Sequence, residues 1–385
     1  MQKMNKYKTI TKISIIILFI GTIILASTFL TADHRTNKNS TPKILNTTSS
    51  ESLNNANIIE QILDTQVDHY ANKSYFPSDY TPSLQGTYYT LSILSTLNRL
   101  DAINHTKLLD FIMDHYNTSS GLFMDEYAHR YLDTDYNLEF YPLSSVLQVN
   151  AYALLSLHLL GRVYLLDFQK MVDFIWECYN PSSGGFAGHP FESAPSKYFR
   201  AATLDNTYYA VISLDLLLDS WAGYSSEKTA IIDFVTGSQE LTPNSDHYGG
   251  FYVDPENHYP YLDYANPSLL SAYYALKVLD LFSMGDLIDT AAFHSYLDLL
   301  YQAEEIYFKI AHLSSFPNQS IFTATALGLE LSLLTDYSAI EESEITTFLL
   351  DNRNERGLWD VTDSYGFYEL FDSFEVIRSL SNTGY

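Results

Sequence analysis

The sequence predicts an all-α fold, an (α/α)6 toroid of six helical hairpins preceded by a single transmembrane helix. Three observations carry that prediction. A polar turn followed by an aromatic residue recurs along the chain; two sets of helical patterns alternate around those turns; and no stretch shows the Val/Ile alternation of strands.

Taken in order, residues 1–12 form a basic tail with Lys3, Lys6, Lys8 and Lys12 and no acid. Residues 13–30 (ISIIILFIGTIILASTFL) carry no charge and are just long enough to span a bilayer. The preceding lysines favour a cytoplasmic N-terminus, so the chain reads as single-pass, with its globular part outside the cytoplasm. A cleaved signal peptide shares this layout and would give a secreted protein instead. Residues 31–54 are polar and rich in Asn, Thr and Ser, as a flexible linker is.

Residues 55–385 then form one domain of repeats. DHYNTSSGLF, ECYNPSSGGF, DHYGGF and DNRNERGLW end on Phe123, Phe186, Phe251 and Trp359, DHYANKSYF ends on Phe76, and Tyr307-Phe308 is a degenerate member. The anchors stand roughly 50–65 residues apart, the spacing of a repeat architecture. Before most turns lies a one-sided amphipathic pattern such as DFQKMVDFIWECY. After each lies a helix apolar or small nearly all round, such as NTYYAVISLDLLLDSW. Six surface helices alternating with six buried ones all find cover when the buried set closes into an inner ring.

The composition narrows the function. The chain has 385 residues, 46% hydrophobic and 17% charged, with Lys+Arg 21 against Asp+Glu 46 for a net charge of −25. So acidic a surface repels phosphate backbones and excludes nucleic-acid binding. One cysteine, Cys178, excludes a disulfide framework and CxxC chemistry. No Ser/His/Asp constellation or phosphate-cradling glycine loop is present. The 32 tyrosines and 22 phenylalanines call for more than core filling.

The segment GGFAGHP…LDNTYYAVISLDLLL, from Gly184 to Leu218, resembles the repeat of prenyltransferase β subunits and squalene or terpene cyclases. The resemblance implies an α/α toroid and an aromatic-lined cavity for an apolar, prenyl-like small molecule or lipid. It also implies zinc in the protein prenyltransferases, held by an Asp-x-Cys pair and a later His. Asp205 matches the acid, but Thr207 stands where the thiolate belongs and Asn266 near the place of the histidine. The DxDD acid run of the triterpene cyclases has only Asp133-Thr134-Asp135-Tyr136 as its nearest counterpart. Six basic residues beyond position 200 are few for a diphosphate.

Candidate residues follow from a mouth at the starts of the inner helices. Asp205 and Asp263 are the catalytic candidates, each equally readable as a helix cap. Tyr88, Tyr152, Tyr208, Tyr209, Tyr273 and Tyr274 line the lumen or pack in the wall, and Arg200 holds an anionic group or a surface ion pair. His189, Asp205, Asp246, His247 and His258 are metal-capable, although no fixed spacing supports a site. Two other classes stay open. A carbohydrate-active enzyme would use paired carboxylates among Asp205, Asp246, Asp254 and Asp263. A non-catalytic surface module would use the ring as a platform. No protein partner is indicated.

Overall fold

The computed structural model describes residues 77–78, 81–133, 144–194, 197–255, 266–312, 320–354, 357–359 and 369–384. The apolar segment 13–30 and the first amphipathic pattern lie outside the described residues. Among the described residues no helix is long and apolar enough to cross a membrane.

Six helices form the inner layer: α1 (Leu84–Thr96), α4 (Val146–Leu159), α6 (Leu204–Leu217), α8 (Leu269–Leu281), α10 (Ile321–Leu334) and α12 (Glu369–Asn382). Each packs on the next, and α12 packs back on α1, so the ring is closed. Outside it stand α2 (His105–Asp114), α5 (Phe168–Glu177), α7 (Ser225–Gly237), α9 (Thr290–Leu300) and α11 (Glu342–Asp351), with α3 (Glu126–Asp133) in the connection to α4. Burial follows the two sequence patterns. α10 buries Phe322 through Ser332 without interruption, whereas α2 buries only Leu108 and Ile112. Two-sided burial forbids a charged face and one-sided burial requires one, which is why composition separates the layers.

Local chemistry sets the helix ends. Ser83, Ser145, Ser268 and Ser320 cap inner helices, with full capping boxes at Ser145 and Ser268. Each such cap contributes about 1 kcal/mol. At the other end Asn98, Gly161, Ser283 and Asp336 take left-handed φ of 54–65°, and the next residue donates back into the last turn, as Arg99 N does to Leu94 O at 2.7 Å.

The sequence predicts no strands, and the fold is mostly helical. The exceptions are two-residue antiparallel ribbons and single bridges, most of them at the repeat turns. Tyr116 pairs with Phe123, Tyr179 with Phe186, Gln239 with Phe251 and Tyr301 with Phe308. All four of these aromatics and Trp359 are fully buried. Each is also tied to the next inner helix by a polar side chain. Phe123 N donates to Asn150 Oδ1 (2.8 Å), Phe186 N to Thr207 Oγ1 (3.0 Å), Phe308 N to Thr325 Oγ1 (3.1 Å) and Trp359 N to Ser373 Oγ (3.3 Å). In the remaining repeat Ser271 Oγ donates to Phe251 O (2.7 Å). These anchors give a common register for the inner ring.

Two residues before each buried aromatic the backbone turns left-handed. Gly249 has φ 89°, and a Cβ there would lie 1.8 Å from Ala292 O. In the degenerate repeat the same position is Ile306 at φ 61°, a region that β-branched residues seldom adopt.

Candidate functional site

The register defines a slot two residues beyond each anchor. Tyr152, Tyr209 and Tyr273 occupy it after Asn150, Thr207 and Ser271, and Tyr89 follows Thr87 in the same way. Leu327 fills it in α10, and in α12 it is Glu375. Every one of these residues is buried, Glu375 at 2% exposure.

Inside the ring lies a cavity of about 220 Å³. Tyr88, Tyr208, Tyr209, Tyr273, Tyr274 and Phe374 supply its aromatic wall, and Glu375 and Arg378 its charged one. The rings are in contact: Tyr208 lies 5.2 Å from Tyr274 and 5.9 Å from Tyr273, and Tyr88 5.9 Å from Phe374 between centroids. Burial raises the pKa of all these phenols, Tyr209, Tyr273 and Tyr274 most of all, so they stay neutral. Behind them Tyr152, pushed up to about 12 mainly by burial, and Tyr89 both accept from Gln85 Nε2.

The charged wall joins three helices. Arg378 forms a two-point pair with Glu375, through Nη1 to Oε1 at 3.1 Å and through Nη2 to Oε2, and Nε reaches Glu330 Oε2 at 3.3 Å. Its guanidinium lies 4.0 Å over the Tyr273 ring, a cation–π contact. Lys277 of α8 stands 3.7 Å from Glu330, and Asn382 donates to Glu330 at 2.8 Å. Burial lifts the Glu375 carboxyl to about 7. Arg378 opposes the shift, and the second carboxylate, Glu330, adds to it. Burial works against the Arg378 charge, but Glu375 and its other anionic neighbours hold its pKa well above the usual value.

The cavity runs toward the opposite end of the inner helices from the one expected. Ser95, Thr96 and Leu159, at the C-terminal ends of α1 and α4, line it. The helix starts are tied to one another instead. Gln148 Nε2 donates to Asp205 Oδ2 (2.7 Å), and Ser145 Oγ donates to Asn206 Oδ1 (2.6 Å). Asp205 is therefore half-buried beside α4 and outside the cavity lining; Thr203, not Asp205, is the residue preceding α6. Its Oδ1 is buried with no hydrogen-bond partner among the described residues.

The other candidates are scattered. Arg200 is exposed, 5.6 Å from the Phe191 ring, and His189 is half-buried with Nδ1 at 3.0 Å from Pro190 O. Asp246 is exposed and His247 half-buried, its pKa lowered first by burial; Asp254 is buried. His258 and Asp263 lie outside the described residues. Among the described residues no three His, Cys, Asp or Glu side chains converge on a metal position. Thr207, at the thiolate position, is fully buried and accepts the Phe186 N–H, so its oxygen is already engaged in the fold. The residues present do not fit the zinc site implied by the resemblance.

Glu375 and Arg378 are the site residues that sequence reasoning missed. The signal was present: Ser373-Phe374-Glu375 aligns with Thr207-Tyr208-Tyr209 once the polar anchors set the register.

Residues 39–202, 126–242 and 193–358 match the prenyltransferase alpha-alpha toroid domain. The chain belongs to that family. Among solved structures, the type II terpene cyclase MstE from Scytonema without ligand superposes on this toroid with a TM-score of 0.53 at 12% identity, covering 86% of this chain and 98% of the cyclase. A variant of that cyclase in complex with its substrate, geranylgeranyl dihydroxybenzoate, gives 0.53 at 13%, over 85% and 96%. A variant in complex with the product merosterolic acid A gives 0.51 at 14%, over 85% and 96%. At such identities the likeness establishes the toroid fold alone. No curated protein matches the sequence.

Proposed function

We propose that this prenyltransferase-family toroid is a binding chamber for a prenyl-type small molecule, held outside the cytoplasm by the apolar segment 13–30. One observation carries the reading: five tyrosines and Phe374 line a cavity inside the ring. Faces of neutral rings suit a branched, unsaturated chain, which they contact without leaving polar groups unpaired. The binding of prenylated ligands by structures of the same fold supports it. Exposed Tyr164, Leu165 and Leu287 on connections, with Phe168 at the start of α5, sit at the end toward which the cavity runs, a surface that suits uptake of an apolar ligand.

Size limits the ligand. At 220 Å³ the cavity is below the ~300–1,000 Å³ of most small-molecule sites. A short prenyl chain, or the tip of a longer one, fits. Titrating the purified chain with geraniol, farnesol and geranylgeraniol, followed by tyrosine fluorescence, tests this. Saturable binding of at least the shortest is expected, and no binding of any overturns the reading. For the anchor, the full chain should sediment with membranes and a chain lacking residues 1–30 should not.

A second reading, acid-initiated isomerisation of the bound ligand, is favoured by Glu375, the carboxylate that lines the cavity and keeps its proton up to about pH 7. Turnover lost in Glu375→Gln and retained in Asp205→Ala would support it. The carbohydrate reading finds no such support. Asp205, Asp246 and Asp254 are all absent from the lining, and glycoside cleavage needs two carboxyls about 5–10 Å apart across the sugar.

A further inference from the structure

A purely apolar ligand leaves the ion cluster on α12 without a use. Buried ion pairs seldom add stability over well-packed apolar residues, because desolvation offsets their attraction. This one also differs in placement: Glu375 and Arg378 face a cavity, and Arg378 keeps 20% exposure. Its planar fork is the side chain best matched to a carboxylate.

The charge balance says what else must happen. Glu375 and Glu330 stand against Arg378 and Lys277, with Asp280 on the exposed side of Lys277, so the buried part of the cluster is neutral as built. Facing Glu375 are Arg378 on its own helix, Glu330 from α10 and Tyr88 and Tyr89 from α1. Tyr208 of α6 and Tyr273 and Tyr274 of α8 complete its surroundings. Asp372, on the far side of the anchor, is engaged with Thr323. The phenols do not ionise near neutrality, so Glu375, which lines the cavity, takes up a proton there.

We propose that the chamber takes an amphiphilic carboxylic acid, whose carboxylate binds Arg378 in exchange for Glu375 while its chain lies against Tyr208, Tyr209 and Tyr274. This rests on the prenyl-chamber reading and adds a head group to it. Anion binding alone would leave three carboxylates around two cations in a largely buried site. Protonation of Glu375 from solvent restores neutrality; the proton stays on its carboxyl and no bond of the ligand changes. Binding therefore consumes a proton and weakens as pH rises.

Calorimetric titration of the full chain with geranic acid and geraniol, and with decanoic acid and decanol, at pH 6 and pH 8 tests this. Buffers of different ionisation enthalpy count the protons. The acid should bind about tenfold tighter than its matched alcohol at pH 6 and lose most of that advantage by pH 8. Uptake near one proton per acid is expected at pH 8, where Glu375 starts ionised, and far less at pH 6. The branched and straight acids separate an isoprenoid source from a fatty-acyl one. In Arg378→Gln the acid should bind no tighter than its matched alcohol, and in Glu375→Gln the acid should bind without its pH dependence. Equal affinity for acid and alcohol without proton uptake overturns this proposal and leaves the prenyl chamber standing; failure of every ligand to bind sinks both. Should Arg378→Gln fail to fold, pH-dependent acid binding that survives in Glu375→Gln overturns the exchange by itself.

Discussion

The inner ring has two unlike sides built on one register. On α4, α6 and α8 the slot beyond the anchor holds Tyr152, Tyr209 and Tyr273, neutral rings with a hydroxyl. On α12 the same slot holds Glu375, tied to Arg378 and through it to Glu330 of α10. A tyrosine in this slot is at home in a dry core and changes little with pH. A carboxylate in the same slot needs a cation beside it and titrates near neutrality. The fold specifies the slot, and one residue choice turns a packing position into a chemical one.

The sharpest way to break this contrast is Arg378→Met, which strands Glu375 and Glu330 without their cation. Urea unfolding at pH 8 should show a loss of about 3–5 kcal/mol, the size expected when one partner of a buried pair is removed. The loss should be smaller at pH 5, where Glu375 is protonated. If the loss is the same at both pH values, Glu375 does not titrate as described.

Next is Glu375→Gln, read as a change in pH dependence. The folded value of about 7 lies above the ordinary 4.5, so the folded state holds the proton more tightly. The contribution of Glu375 to stability is thus full below pH 4.5 and is lost as pH rises through 7, on the order of 3 kcal/mol in all. The stability difference, wild type minus Gln variant, should fall by that order between pH 4.5 and 7.5. A flat difference would mean that the two sides of the ring are electrostatically alike.

Two smaller effects test the shared register itself. Thr207→Val removes the acceptor for the buried Phe186 N–H and should cost about 1–3 kcal/mol; Thr207→Ser, which keeps it, should cost less. Ile306→Gly relieves the left-handed φ and should raise stability by about 1 kcal/mol, seen as a higher melting temperature. A destabilised glycine variant would remove Ile306 from the set of equivalent turn positions.

The two layers were legible in the sequence because burial on both sides and burial on one side leave different compositions, as α10 and α2 show. The turns were legible because Phe186, Phe251 and Trp359 each follow a glycine of fixed offset. The end toward which the cavity runs was not. It depends on how Gln85, Gln148 and Asp205 bond across neighbouring helix starts, a matter of three-dimensional neighbours. Glu375 is not legible because the resemblance points to carboxylates at helix starts, whereas it sits one turn further in. Arg378 counted only as one of a few basic residues, and no one-dimensional pattern places it over the Tyr273 ring.

The seam between α12 and α1 has a consequence for how the molecule assembles. In an open solenoid each new repeat finds its neighbour as soon as it emerges, and stability accrues piecewise. Here residues 84–96 must wait for residues 369–382, nearly the whole domain later, before either finds its second neighbour. Until that late, long-range contact forms, two apolar flanks stay bare and the Arg378 side of the chamber does not exist. Closure of this toroid therefore depends on one long-range contact, and a chain cut short before α12 would be left with exposed flanks that favour aggregation.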